Sequence, residues 1–398
     1  MAAVSSDSGL IRHLGLAGAT VVGLAAMLGT GVFAVWTPAL ALSGSWLLLA
    51  LGIAATCAAL NAVSAVRLAG QHPESGGAYA YARIRLGRFP AVLAGWAFII
   101  GKSASAAAAG LTIGVYLLPQ QSQLVAWLAI AICLTLDLIG LRRSVVVSGV
   151  LVACVVLVLI AVCAGGLLTG FGGTSPATSD AAGAFTASSG SVLNLLAAAG
   201  LIFLAFAGYA RLTVLGDEVQ RPARTIPRAV ALSLSLILVI YAGVAATLLA
   251  AERSGVRLGP AALQNLLPHS LHWLVALGAV LAAGASLLSL LAGIGRTTFA
   301  MARRADAPSA LAVVRGGVPR RAALVAAALA ALVVTGGNLP WAIGLSSTCV
   351  LIYYSVMHVT ACTLPGRMIL RWGVPIIGLV VCVALVLALV HQLARPGS

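Results

Sequence analysis

Residues Gly23 to Phe33, GLAAMLGTGVF, decide how the chain is read. The run is apolar enough to lie in lipid, yet its centre is Gly29-Thr30-Gly31, residues that hold a helix poorly. A second run of this kind follows at Phe203 to Tyr209, FLAFAGY, where Ala207-Gly208 interrupts another apolar stretch. Hydrocarbon offers no partner to backbone N–H and C=O groups, so a helix interrupted at mid-bilayer must line a polar cavity. Glycine also serves simply to bring helices close together. Two interruptions at matching places, about five spans apart, favour the cavity and suggest an inverted repeat.

The rest of the chain agrees with a membrane setting. Its 398 residues are 61% hydrophobic and 8% charged, with a mean hydropathy of +1.10, outside the range of soluble domains. Apolar windows predict about eleven spans, beginning near residues 14, 44, 89, 123, 144, 190, 228, 270, 321, 340 and 372. The net charge of +15 sits in short clusters between spans and not on one amphipathic face, so it describes topology and no nucleic-acid partner. With the N-terminus in the cytoplasm, Arg83, Arg85, Arg88, Arg142, Arg143, Arg303, Arg304 and Arg315 all face inward, and only Arg253 and Arg257 occupy opposite loops. An odd number of crossings then leaves Arg395 and the C-terminus outside. The polar start before a long first segment shows no cleavable signal pattern, and the excess of Arg with abundant Ala suggests a GC-rich bacterial source. A multi-pass protein of the cell inner membrane is expected.

The seven cysteines all fall in apolar segments, without a CxxC pair or His at metal spacing. They read as small buried hydrophobes, with no metal site or disulfide expected.

Three stretches resemble the amino acid-polyamine-organocation permease superfamily. Gly23 to Phe33 resembles the family's first-span pattern ending in G-[ST]-G-[IV]-F. His72 to Arg83, HPESGGAYAYAR, resembles its P-x-S-G-G-x-Y-x-Y loop after span two. Phe203 to Ala229, FLAFAGYARLTVLGDEVQRPARTIPRA, resembles its sixth span with the E-x-x-x-P-x-[RK]-x-[IF]-P-R-A tail. A weaker echo runs from Gly295-Arg296 to Met301-Ala302-Arg303. The resemblance implies an all-α, leucine-transporter-like fold of two inverted five-helix repeats. The expected division is a cytoplasmic N-terminus at 1–13, a first repeat at 14–171, an extracytoplasmic loop at 172–189, a second repeat at 190–366, and an eleventh helix with tail at 367–398. The family usually adds two C-terminal spans where this chain adds one.

A zwitterionic amino acid fits such a site. The N-terminal end of the half-helix after the first interruption presents free N–H groups and positive dipole, so Gly29, Thr30 and Gly31 are expected to hold a carboxylate. Carbonyls of Ala26 and Met27, and of Phe203, Phe206 and Ala207 beside Gly208, are expected to receive the ammonium. Thr30 can add its hydroxyl or back-bond to its own helix. Phe206 and Tyr209 wall the pocket or simply pack. Relatives often carry an acidic residue just after the sixth-span interruption. Here the position is Ala210, which moves the reading toward small neutral or apolar amino acids.

Two cations lie at depth. Lys102, the only lysine, sits halfway along span three, and an ammonium beside an alternating cavity can exchange protons with either side. Family members that use a lysine as a sodium surrogate carry it in span five, where this chain has no ionisable residue. A structural ammonium bonded to carbonyls is the competing reading. Arg211 is expected to snorkel or to pair with Asp137, Asp217 or Glu218 as part of an inner gate. Ser286 and Ser289 can face the first interruption, where relatives place sodium. No carboxylate is available there, which favours protons. His358 and His391 read as packing residues, and Glu74 as one half of a loop ion pair.

The chain has no P-loop, no Ser/His, paired-Asp or metal constellation at depth, and no loop large enough for an output domain. No enzyme and no cofactor are expected. The reading is a secondary active transporter of small neutral or apolar amino acids, driven by protons or by exchange, with sodium as the alternative coupling ion. An exporter of methionine-like or branched-chain amino acids is the alternative, and a non-transporting membrane sensor the alternative from another class.

Overall fold

The computed structural model describes residues 14–71, 77–139, 145–168, 191–213, 219–256, 258–314 and 319–394. Several positions discussed above lie outside them: the 1–13 segment, Glu74 and the first half of its loop motif, Arg142, Arg143, the 172–189 loop, Asp217, Glu218, Arg257, Arg315 and Arg395.

The described chain is all-α, apart from one isolated bridge between Leu14 and Val219. In order the α-helices are α1 (Leu16–Met27), α2 (Gly31–Ala34), α3 (Trp36–Ser43), α4 (Leu47–Gln71), α5 (Gly77–Arg85), α6 (Arg88–Leu117), α7 (Ser122–Leu138), α8 (Val145–Leu168), α9 (Val192–Phe206), α10 (Ala210–Thr213), α11 (Pro222–Arg253), α12 (His272–Arg303), α13 (Arg320–Gly336), α14 (Leu339–Cys362) and α15 (Val374–Leu393). Ten helical runs among the described residues are long and apolar enough to cross a bilayer. An eleventh, α13, has 17 residues and falls just short of the usual length. With it the count matches the sequence-based expectation.

The first span runs past its interruption. Val35 joins α2 to α3 with right-handed angles, and Ala39 N–H bonds to the Val35 carbonyl, so α2 and α3 form one rod. The rod ends at Gly44, whose φ of 49° only glycine adopts without strain.

Small residues set the packing. Helices in lipid associate by close van der Waals contact, which Gly, Ala and Ser permit. In α6 the stretch from Ser103 to Gly114, SASAAAAGLTIG, is buried throughout. A methyl group at Gly110 would crowd Ala126, and one at Gly114 would strike the Ser122 backbone, so both glycines let α7 come close. Within the bundle α6 is the most enclosed span, with 78% of its apolar window buried, against 17% for the run Pro119–Leu138. The central α6 packs on α12, α14 and α13, and α9 packs on α3, α4 and α15. Side chains such as Ile132, Leu157, Val239 and Leu387 point outward, as a lipid-facing surface requires.

The seven cysteines are free. Cys57 and Cys382 nevertheless meet with 3.8 Å between sulfurs, in a buried cluster with Asn61 and His358. His358 donates or accepts at both ring nitrogens, toward Ser64 (3.0 Å) and Asn61 (2.6 Å), and so is a satisfied packing residue tying α14 to α4.

Candidate functional site

Both interruptions exist, and they differ in kind. In the first span α1 stops at Met27, and Leu28 leaves helical geometry with ψ at 52° before the chain resumes at Gly31. In the sixth, α9 passes at Phe206 into a 3-10 turn over Ala207–Tyr209 and then into α10. The second interruption is therefore a tightening and not an unwinding.

The two interruptions lie backbone to backbone. A Cβ on Gly208 would strike the Ala26 carbonyl and lie 2.7 Å from Met27 N. A Cβ on Gly31 would strike the Cα of Ala205. Ala26, Met27, Gly31 and Gly208 are thus brought together across the bundle, beside Ala205. Thr30 and Tyr209 stand at the same crossing, each almost fully buried, and neither hydroxyl has a hydrogen-bond partner of normal geometry among the described residues. The Tyr209 hydroxyl does lie close enough to that of Tyr354 to interact, and their rings stack at 5.7 Å. A buried hydroxyl without a partner costs about 1–3 kcal/mol.

Phe203 and Phe206 are fully buried and edge-on to Tyr354 (5.8 Å) and Tyr241 (5.2 Å) respectively. Tyr241, in α11, attracts no notice in the sequence beyond being a lone aromatic in an apolar span. Its hydroxyl lies 2.9 Å from the Met27 carbonyl and 3.1 Å from the Ala205 carbonyl, so it bridges the two interruptions. Behind the crossing, Ser286 in α12 abuts Gly29 and accepts from Thr30 N–H at 3.4 Å. Above it, the Tyr116 hydroxyl of α6 donates to the Phe33 carbonyl at 3.0 Å.

The cations are elsewhere. Arg211 donates to the Ser289 hydroxyl in α12. Of its three expected acidic partners, Asp137 instead faces Arg296, and Asp217 and Glu218 lie outside the described residues. Ser289 is accordingly engaged by a guanidinium. Lys102 makes no hydrogen bond or ion pair among the described residues and lies over the Phe98 ring at 6.0 Å. It is separated from the interruptions by a ladder of rings, Phe98 to Tyr353 (5.4 Å), Tyr353 to Tyr354 (5.3 Å) and Tyr354 to Tyr209.

That ladder ends on a latch missed in the sequence reading. The Tyr353 hydroxyl accepts from Ala78 N–H at 2.8 Å, where Gly77 turns with φ of 58°. From α5, Tyr79 donates to the carboxylate of Asp306 at 2.8 Å, and Arg88 Nε donates to the same carboxylate at 2.9 Å, with Arg83 at 3.7 Å. The Asp306 side chain is fully buried. Burial first, and then the bond to Asp306, push the Tyr79 phenol up to about 12. The available signal was an acid, one of only eight in the chain, lying just beyond an arginine pair.

Comparison with known proteins supplies the family. A model described as amino acid permease matches residues 18–393. The chain belongs to the amino acid permease family. It is 43% identical to an uncharacterised transporter of Mycobacterium tuberculosis, over 98% of this chain and 89% of that one. It is 27% identical to a branched-chain amino acid permease of Bacillus subtilis, over 79% and 72%. Among solved structures it is similar to a Na+-coupled sialic acid symporter in a substrate-bound outward-open state, with a TM-score of 0.56 and 13% identity over 97% of this permease and 91% of the symporter. At that identity the likeness concerns fold alone. The fold is that of the leucine-transporter-like permeases.

Proposed function

We propose that this permease is a secondary active transporter of small neutral or apolar amino acids, with the substrate bound between the two interruptions. One observation carries the reading. Two spans give up regular hydrogen bonding at the same point of the bundle, and that point holds a half-helix N-terminus at Gly31, the carbonyls of Met27 and Ala205, and the unpartnered hydroxyl of Thr30. A carboxylate and an ammonium complement these groups. The crossing is closed, so the substrate enters as the half-helices part. The latch of Asp306 with Tyr79, Arg83 and Arg88 lies at the arginine-rich end, and its release would open the path on that side.

Among the described residues no acidic side chain touches the crossing, which supports a neutral side chain over a cationic one. The name of the Bacillus subtilis relative favours branched-chain substrates in particular. With Ser289 engaged by Arg211 and no carboxylate at hand among the described residues, the first interruption offers sodium few ligands, so proton coupling or exchange fits better. The division into repeats at 14–171 and 190–366, an inner-membrane location, a cytoplasmic N-terminus and an extracytoplasmic C-terminus belong to the same proposal, supported by the arginine asymmetry.

Proteoliposomes test it. Labelled leucine, alanine, methionine and serine are offered under proton, sodium and counter-substrate gradients. Uptake of at least one, stimulated by a gradient or by internal amino acid, is expected. No uptake under any gradient refutes the proposal, and preferential arginine uptake refutes the neutral specificity.

A further inference from the structure

The Met27 and Ala205 carbonyls lie at the C-terminal ends of α1 and α9, where the dipole is negative. Their complement is a cationic N–H donor. In this structure they share the Tyr241 hydroxyl, at 2.9 Å and 3.1 Å. A phenol has one proton and can serve only one carbonyl fully at a time. Tyr241 cannot turn aside freely, because its ring is held edge-on by Trp36 at 5.8 Å and by Phe206 at 5.2 Å, and it is fully buried. The Trp36 indole is no substitute, since its N–H already donates to the Val32 carbonyl at 2.6 Å.

We propose that Tyr241 is a positioning residue whose hydroxyl stands in for the substrate's ammonium group in the empty, closed permease. It satisfies the two carbonyls well enough to let the interruptions close without substrate, and incoming ammonium, with three donors, takes both carbonyls from it. Tyr241 thereby tunes affinity for the amine specifically. The inference rests on the proposed substrate site and names the side chain that competes for it.

The test is equilibrium binding to the full-length protein in nanodiscs, wild type against Tyr241→Phe, with leucine and with isocaproate, which is leucine without its amine. Removing the hydroxyl leaves the carbonyls unsatisfied only in the empty state, so Tyr241→Phe is expected to bind leucine about two- to tenfold tighter, the range of one net hydrogen bond. Isocaproate affinity is expected to stay unchanged. Leucine binding that is unchanged or weaker, or equal shifts for both ligands, overturns the inference while leaving the transport reading intact. Absence of saturable binding of leucine, alanine, methionine and serine alike to wild type overturns both. Should Tyr241→Phe not fold, fluorotyrosine placed at 241 gives a second readout. Its fluorine resonance is expected to move with leucine and not with isocaproate, and a resonance indifferent to bound leucine rejects the role.

Discussion

Substituting Gly208 by alanine probes the contact between the interruptions directly. The added methyl group would overlap the Ala26 carbonyl and lie 2.7 Å from Met27 N. Both are backbone atoms that no rotamer change can move aside. Overpacking of a tight contact costs about 1–3 kcal/mol, and the absence of a flexible neighbour puts this site near the top of that range. At about 3 kcal/mol the closed packing loses more than a hundredfold in population relative to arrangements in which the half-helices part. Gly52→Ala and Gly70→Ala are the controls, because both lie in α4 and nothing approaches within 4 Å. There a methyl group is neutral or stabilising by about 1 kcal/mol through helix propensity. The assay is thermal unfolding of detergent-purified variants together with hydrogen exchange over residues 23–33 and 203–213. Gly208→Ala is expected to lower stability and speed exchange at both interruptions, and the controls to do neither. A Gly208→Ala protein as stable and protected as Gly52→Ala refutes the face-to-face packing.

Other perturbations bear on the latch and the buried cation. Asp306→Asn removes the charge that Tyr79 and Arg88 engage. The Arg88 side chain is 67% exposed, so its pair contributes little, and with the Tyr79 bond the loss is about 2 kcal/mol. Roughly thirtyfold faster amide exchange in α5 is expected, and unchanged α5 protection argues against a latch. Because the Tyr79 phenol sits above its usual value, its contribution to stability is complete below about pH 10 and lost as pH rises toward 12. Tyr79→Phe should therefore cost the same stability at about pH 6 and at about pH 9, and a pH-dependent difference across that interval would show a phenol titrating there. Lys102→Ala is expected to abolish accumulation driven by a proton gradient and to spare leucine counterflow. Full proton-driven accumulation in the variant removes Lys102 from coupling.

Much of this molecule was legible in its sequence because lipid makes the rules strict. Backbone groups must be satisfied within each span, so apolar runs of the right length become helices, and Gly29-Thr30-Gly31 stood out as a place where that could not hold. The interruption at Ala207-Gly208 is a tightened turn, which composition alone does not distinguish from an unwound segment. Residues that work through long-range contact left fainter marks. Tyr241 joins carbonyls of α1 and α9 from a third helix, and no spacing along the chain encodes that meeting. Cys57 and Cys382 come together for the same reason, across α4 and α15. Arg211 donates to Ser289 of α12, a contact made by helix packing that spacing along the chain does not announce.

The central claim is that a zwitterion binds where the two spans give up their hydrogen bonds. The most direct measurement is a cryo-EM map of the protein in nanodiscs at saturating leucine, or whichever neutral amino acid the uptake assay selects. Density is expected between the N–H groups at Gly29 to Gly31 and the carbonyls of Met27 and Ala205, with the Tyr241 hydroxyl displaced from at least one of them. Ligand density elsewhere in the bundle, or a saturated protein whose interruptions remain packed on each other with nothing between, contradicts it.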